Sequence, residues 1–111
     1  MSNVYYDPAD FGLVLVETLD EAGLSYEYNT LIVLQHTASK RLFWASDSGC
    51  SCPTPFENYH FSSSESGINT DLTEINLSSY DRFADAVNEF PVSVQERSDC
   101  LLKVRQLLLA R

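Results

Sequence analysis

Residues able to do chemistry crowd into one stretch, Trp44-Ala-Ser-Asp-Ser-Gly-Cys-Ser-Cys-Pro-Thr-Pro-Phe-Glu57, with His60 just beyond it. Cys50 and Cys52 form a C-x-C pair, with Asp47 before them and His60 after. Zinc sites are built from such side chains, so Cys50, Cys52 and His60 make one candidate metal set. The spacing argues against it, because structural sites place two or more residues between paired cysteines and take four ligands. The same residues suit a cysteine nucleophile, with His60 as base and Asp47 as orienting acid. Short chains offer such triples by chance, and closeness in sequence is not closeness in space. A structural reading uses each special residue for a backbone reason. Gly49 permits a sharp turn, Pro53 and Pro55 fix φ, Asp47 and Ser48 bond the nearby backbone, and Trp44 and Phe56 pack across the loop. Under a binding reading, the loop presents Trp44, Asp47, Cys50, Cys52, Phe56 and Glu57 to a partner. None of these grounds assigns a catalytic residue, and zinc enters only with the metal alternative.

The elements that must position this stretch are read from periodicity. Val4, Tyr5 and Tyr6 lead into Asp7-Pro8, a turn signal, with Phe11 packing down and Gly12 freeing the backbone. Leu13–Leu19 is rich in β-branched residues, and apolar on both faces from Leu13 to Val16, which predicts a central or well-covered strand. Asp20-Glu-Ala-Gly23 reads as a turn. Ser25–His36 predicts a second strand, with Tyr26, Tyr28, Thr30, Ile32 and Leu34 on one face. Its second half is apolar on both sides and should lie deeper. Lys40–Ser46 predicts a third strand, with Leu42 and Trp44 opposite Phe43 and Ala45. Residues 47–77 read as a long Cys/Pro/Ser loop, in which Tyr59-His-Phe61 suits a short edge strand. Leu77–Phe90 predicts a helix capped by Ser78, with Tyr80, Phe83, Ala84, Val87 and Phe90 in one stripe and Pro91 as its stop. Ser93-Val-Gln-Glu96 is a capping box that opens a second helix, with Val94, Leu101, Val104 and Leu108 on its core face. The expected fold is α+β: an antiparallel meander of three or four strands followed by two C-terminal helices packed on one face. The chain reads as one domain, 1–111, with the meander in 1–46, the loop in 47–77 and the helices in 78–111.

Charge narrows the partners. The chain has 111 residues and a net charge of −9. Residues 1–81 carry twelve acids against Lys40 and Arg41, a net of −10, while 82–111 carry five bases and four acids, a net of +1. Such a field repels nucleic acid and anionic membranes and favours a basic protein. The three cysteines are an odd number and imply no disulfide framework. No apolar run approaches a membrane span, and the first residues lack a basic region followed by an apolar core, so a cytoplasmic location is expected. Tyr5, Tyr6, Tyr26, Tyr28 and Tyr59 are candidate interface anchors, with strand packing the alternative for Tyr26 and Tyr28 above all. Leu102 and Leu109 fall off the main stripe of the last helix, so a homodimer through helix 93–111 is a further option.

The string from Trp44 to Glu57, preceded by Tyr6-Asp-Pro and Phe11-Gly, resembles a family of small uncharacterised proteins of actinobacterial bacteriophages and their hosts. The resemblance covers residues 5–59, carries no catalytic residues, and implies a phage accessory protein. The leading expectation is therefore a non-catalytic protein that binds a host or phage protein in the host cytoplasm. Its alternatives are a metal-binding or cysteine-dependent protein using Cys50, Cys52 and His60, and an acidic nucleic-acid mimic that blocks a DNA-binding protein.

Overall fold

The computed structural model describes residues 3–50 and 54–110. The start of the chain makes a tight turn, Pro8–Phe11, which Gly12 ends in the left-handed conformation at φ 72°. Only glycine adopts that backbone freely. Three strands come next: β1 (Leu13–Asp20), β2 (Glu27–His36) and β3 (Leu42–Cys50). A short hairpin succeeds them, β4 (Phe61–Ser64) and β5 (Gly67–Thr70), then β6 (Thr73–Ile75). Two helices close the chain, α1 (Tyr80–Glu89) and α2 (Val94–Leu109). The main sheet is antiparallel in the order β1-β2-β3-β6, and β4-β5 forms a separate two-stranded sheet. This is the α+β fold expected, with β6 as the fourth strand.

Both faces of the main sheet are covered. In β2, Leu31 and Val33 face the helices and meet Phe83, Val87, Cys100 and Val104, while Ile32 and Leu34 face Val4, Phe56 and Phe61. Two-sided cover explains the doubly apolar strands, because alternation along each strand sends neighbours to opposite cores. β1 is apolar on both faces for the same reason, although it lies at the sheet edge rather than in the centre. Its register with β2 shifts between Leu15 and Glu17. The extra residue sends Leu13 to one core and Leu19 to the other, which strict alternation would forbid.

The first helix differs from the sequence reading at its start. α1 begins at Tyr80, and Ser78 bonds the Asn76 side chain instead of capping the helix. Asn76 Oδ1 also accepts the N–H groups of Ser78 and Ser79 at 3.0 Å each, so asparagine builds the entry turn. α2 starts as its capping box predicts, with Ser93 Oγ accepting the Glu96 N–H at 3.1 Å. Val94, expected in the core, is exposed, because at about 100° per residue it falls outside the sector that Cys100, Val104 and Leu108 bury. A bidentate pair between Arg41 and Glu74, at 2.6 and 3.0 Å, ties the β2–β3 turn to β6. Among the described residues no helix is long and apolar enough to cross a membrane.

Candidate functional site

The Cys-Pro stretch is strand for its first half. β3 runs on through Asp47, Ser48, Gly49 and Cys50, which pair with Thr30, Asn29, Tyr28 and Glu27 of β2. Gly49 lets the Tyr28 ring lie against the backbone, since a Cβ there would come within 3.3 Å of the phenol oxygen. The two-residue pattern was hidden because no large apolar side chain marks this half of the strand.

Asp47 pins the turn at 54–57 against β3. Its Oδ2 accepts the Phe56 N–H at 2.8 Å and the Tyr28 hydroxyl at 3.1 Å, and its Oδ1 accepts the Ser48 N–H at 3.0 Å. These bonds fold the turn back onto the strand and hold Phe56 at φ 62°. Phe56 is fully buried, with Tyr5 and Tyr59 edge-on at 5.6 and 5.2 Å. Tyr59 donates to the Ser46 carbonyl at 2.9 Å, and Asn3 donates to the Pro55 carbonyl at 3.1 Å. Burial, and then the hydrogen bond to Asp47, push the Tyr28 phenol above its ordinary pKa. Burial and the nearby carboxylates of Asp47 and Asp71 do the same to Tyr59.

The structure therefore separates the residues that sequence grouped as one surface. Trp44 points to the helices, edge-on to Phe83 at 5.9 Å, while Phe56 lies in the opposite core. The two do not pack across a loop, because the sheet stands between them. Asp47 and Phe56 are turned inward, and Cys50 and Glu57 are exposed. Cys52 and Pro53 lie outside the described residues. His60 leads into β4, with its Nε2 3.3 Å from Ser62 Oγ and its N–H on Asp71. Among the described residues no group of three or more His, Cys, Asp and Glu side chains is placed to hold a metal ion. Cys100, on α2, is buried against the sheet, and burial pushes its thiol up to about 12, so it is a packed neutral group at ordinary pH.

An open cleft of about 550 Å³ lies at the end of the sheet formed by the β1–β2 turn and the last residues of β3. Glu21, Leu24, Glu27, Tyr28, Asn29, Ser48, Gly49 and Cys50 line it. Asn29 donates to Glu21 Oε1 at 3.0 Å and fixes that carboxylate. Between Leu24 and Glu27 stands Tyr26, 85% exposed and held at φ 59°. An aromatic residue in the left-handed region is strained, by about 1–2 kcal/mol. Tyr26 precedes β2 instead of belonging to its packed face, which corrects its expected strand role. Glu21 and Glu27 line the cleft, and the exposed Tyr26 directly precedes Glu27 in the chain. Sequence reasoning passed over Glu21, Leu24 and Glu27, and the only signal was a tyrosine shortly after a glycine turn.

A family model described as Domain of unknown function (DUF7574) matches residues 2–105. No curated protein and no solved structure matches the chain.

Proposed function

The chain belongs to this family of unknown function, and we propose that it is a small acidic accessory protein of phage type that binds a basic segment of a host or phage protein. The observation that carries the reading is the cleft edged by Glu21 and Glu27, with Tyr26 strained and exposed beside it. Strain at an exposed aromatic persists where surrounding structure enforces it, and such positions gather at ligand-contact sites. The net charge of −10 over residues 1–81 supports a cationic partner. The phage assignment rests on the resemblance of the Trp44–Glu57 string, and catalysis plays no part in the reading.

The test is a pull-down with the tagged chain from an actinobacterial lysate, washed at low and at high salt. A specific basic protein is expected, retained at low salt and released at high salt. Glu21→Gln with Glu27→Gln should weaken retention, and Tyr26→Ala should do so more strongly. A partner whose retention ignores both salt and these substitutions would overturn the reading.

A further inference from the structure

β1 is an edge strand, and among the described residues no strand pairs with its outer side. The parity of the ladder shows which backbone groups stand open there. The Glu21 N–H, one step past the end of β1, donates to the Asn29 carbonyl at 3.0 Å. Counting back by two, Leu19 with Leu31 and Glu17 with Val33 also turn their N–H and C=O groups towards β2. Thr18 and Asp20 therefore turn theirs away from the sheet. Thr18 is half-buried and Asp20 is exposed. The bulge between Leu15 and Glu17 interrupts the row on one side. On the other side the row runs to Glu21, which lines the cleft. Leu19 faces the helices, as does Glu17, whose carboxylate stands 3.9 Å from Lys103 of α2. Glu21 has the same parity and is held by Asn29, while Asp20 faces the other way and accepts the Thr30 hydroxyl at 2.7 Å.

We propose that a basic segment of the partner adds to the outer edge of β1 as an antiparallel strand, exchanging main-chain hydrogen bonds with Thr18 and Asp20 and reaching the cleft at Glu21. This rests on the basic partner proposed above and adds the conformation and side-chain pattern by which it is held. Charge selects the occupant. Glu17, Asp20 and Glu21 place three acids within five residues of this edge, and Lys103 offsets one of them. A second copy is disfavoured in each two-fold register. Pairing Thr18 with Asp20 of the other copy sets Glu17 directly opposite the other copy's Glu21, and centring the pair on Asp20 sets that acid on itself; like charges directly opposite destabilise a ladder. Centring it on Thr18 runs each strand into the other's bulge. Edge strands are kept from pairing with their own kind by charges and bulges. Here those devices turn away a copy of the chain, while the same acids admit a strand that carries bases. An incoming antiparallel strand meets Glu21, Asp20, Leu19, Thr18 and Glu17 in turn. It therefore fits the order basic, basic, apolar, β-branched, basic, with main-chain bonds giving affinity and these side chains giving choice.

The probe is the acetylated and amidated peptide Lys-Lys-Val-Thr-Lys, titrated into the full chain and followed by NMR of the backbone amides. Hydrogen exchange at the Thr18 and Asp20 amides should slow about tenfold or more when the peptide binds, since both gain a main-chain acceptor. Methylating the backbone nitrogens of the peptide's second lysine and threonine, which face β1, should weaken binding about tenfold or more. Methylating the nitrogen of its valine, which faces away, should leave binding as it was. The chain itself is unaltered in both arms, so the comparison does not depend on a variant that folds. A peptide that does not bind at millimolar concentration overturns the strand addition, and the cleft reading then stands or falls with the pull-down. Binding that ignores the β1-facing methyl groups, or leaves Thr18 and Asp20 exchanging freely, overturns it as well. Slowed exchange at Thr18 and Asp20 that persists undiminished in Glu27→Gln and in Tyr26→Ala would uphold the edge and remove the cleft.

Discussion

Asp47→Ala is the sharpest probe of how the Cys-Pro stretch is held. The carboxylate serves three donors: the Phe56 N–H, the Tyr28 hydroxyl and the Ser48 N–H. The Ser48 bond is exposed and contributes little. The other two are partly buried and end on an ionised acceptor, a class worth about 1.5–3 kcal/mol each. Partial solvent access puts them at the low end, so the loss should come to about 3 kcal/mol. For a domain of this size that corresponds to a fall of about 12 °C in Tm. Alanine leaves the Phe56 N–H without its acceptor at the point where the backbone is held left-handed. Urea unfolding followed by the fluorescence of Trp44, the single tryptophan, measures the effect. Trp44 lies in the helix-side core, so it reports global unfolding and not local rearrangement of the turn. Tyr28→Phe removes one of the bonds and should lose about 1.5 kcal/mol. Combined with Asp47→Ala, it should add almost nothing, because the second change then removes a bond already gone. A loss below about 0.5 kcal/mol for Asp47→Ala would refute the pinning role and return Asp47 to the surface as a contact residue.

Tyr26 and Cys100 carry two further predictions. Tyr26→Gly should stabilise the fold by up to about 1 kcal/mol, by relieving the left-handed strain, while weakening binding of the basic partner; a variant that loses stability and keeps binding refutes the presentation of Tyr26. Cys100 should resist thiol reagents in the folded protein while the exposed Cys50 reacts, as mass spectrometry of labelled peptides will read. Its thiol is raised from 9.0 to about 12, so the native state disfavours the thiolate. The stability tied to this group is whole below pH 9 and declines as pH climbs towards 12, by at most about 1.4 kcal/mol per unit. Cys100→Ala should lower stability by about 1 kcal/mol at neutral pH and flatten that alkaline decline, leaving the smaller part due to the raised tyrosines. An unchanged slope would show that burial of this thiol does not govern the alkaline limb.

What the sequence made legible was whatever large apolar residues mark by their period. β2 and the buried parts of α1 and α2 were readable because Ile32 and Leu34, Phe83 and Val87, and Val104 and Leu108 recur at strand or helix spacing. Residues 61–70 were not, because their hairpin is polar outside and packs through few anchors. Phe61 alone reaches the core fully, edge-on to Phe43 at 5.5 Å, with Ile68 beside it. The run of serines between them reads as loop, although Ser63 pairs with Ile68 in the hairpin. The end of β3 was lost for a related reason: Asp47, Ser48 and Gly49 have low strand propensity, and pairing with β2 overrides it. The cleft was least legible, because it joins a turn to the end of a strand over twenty residues away, and only register brings Glu27 beside Cys50.

The proposed cleft can be tested apart from the fold that carries it. Glu27 is exposed at the start of β2, and its backbone pairs with Cys50 of β3. Glu27→Gln should therefore weaken retention of a basic partner and leave the urea midpoint where it was, because the exchanged side chain stands in solvent. Raising the salt should mimic the substitution in the wild-type chain, and should change little in the variant, since the charge that salt screens has then been removed. A midpoint that falls together with retention would trace the loss to the fold, and would remove Glu27 as a contact residue.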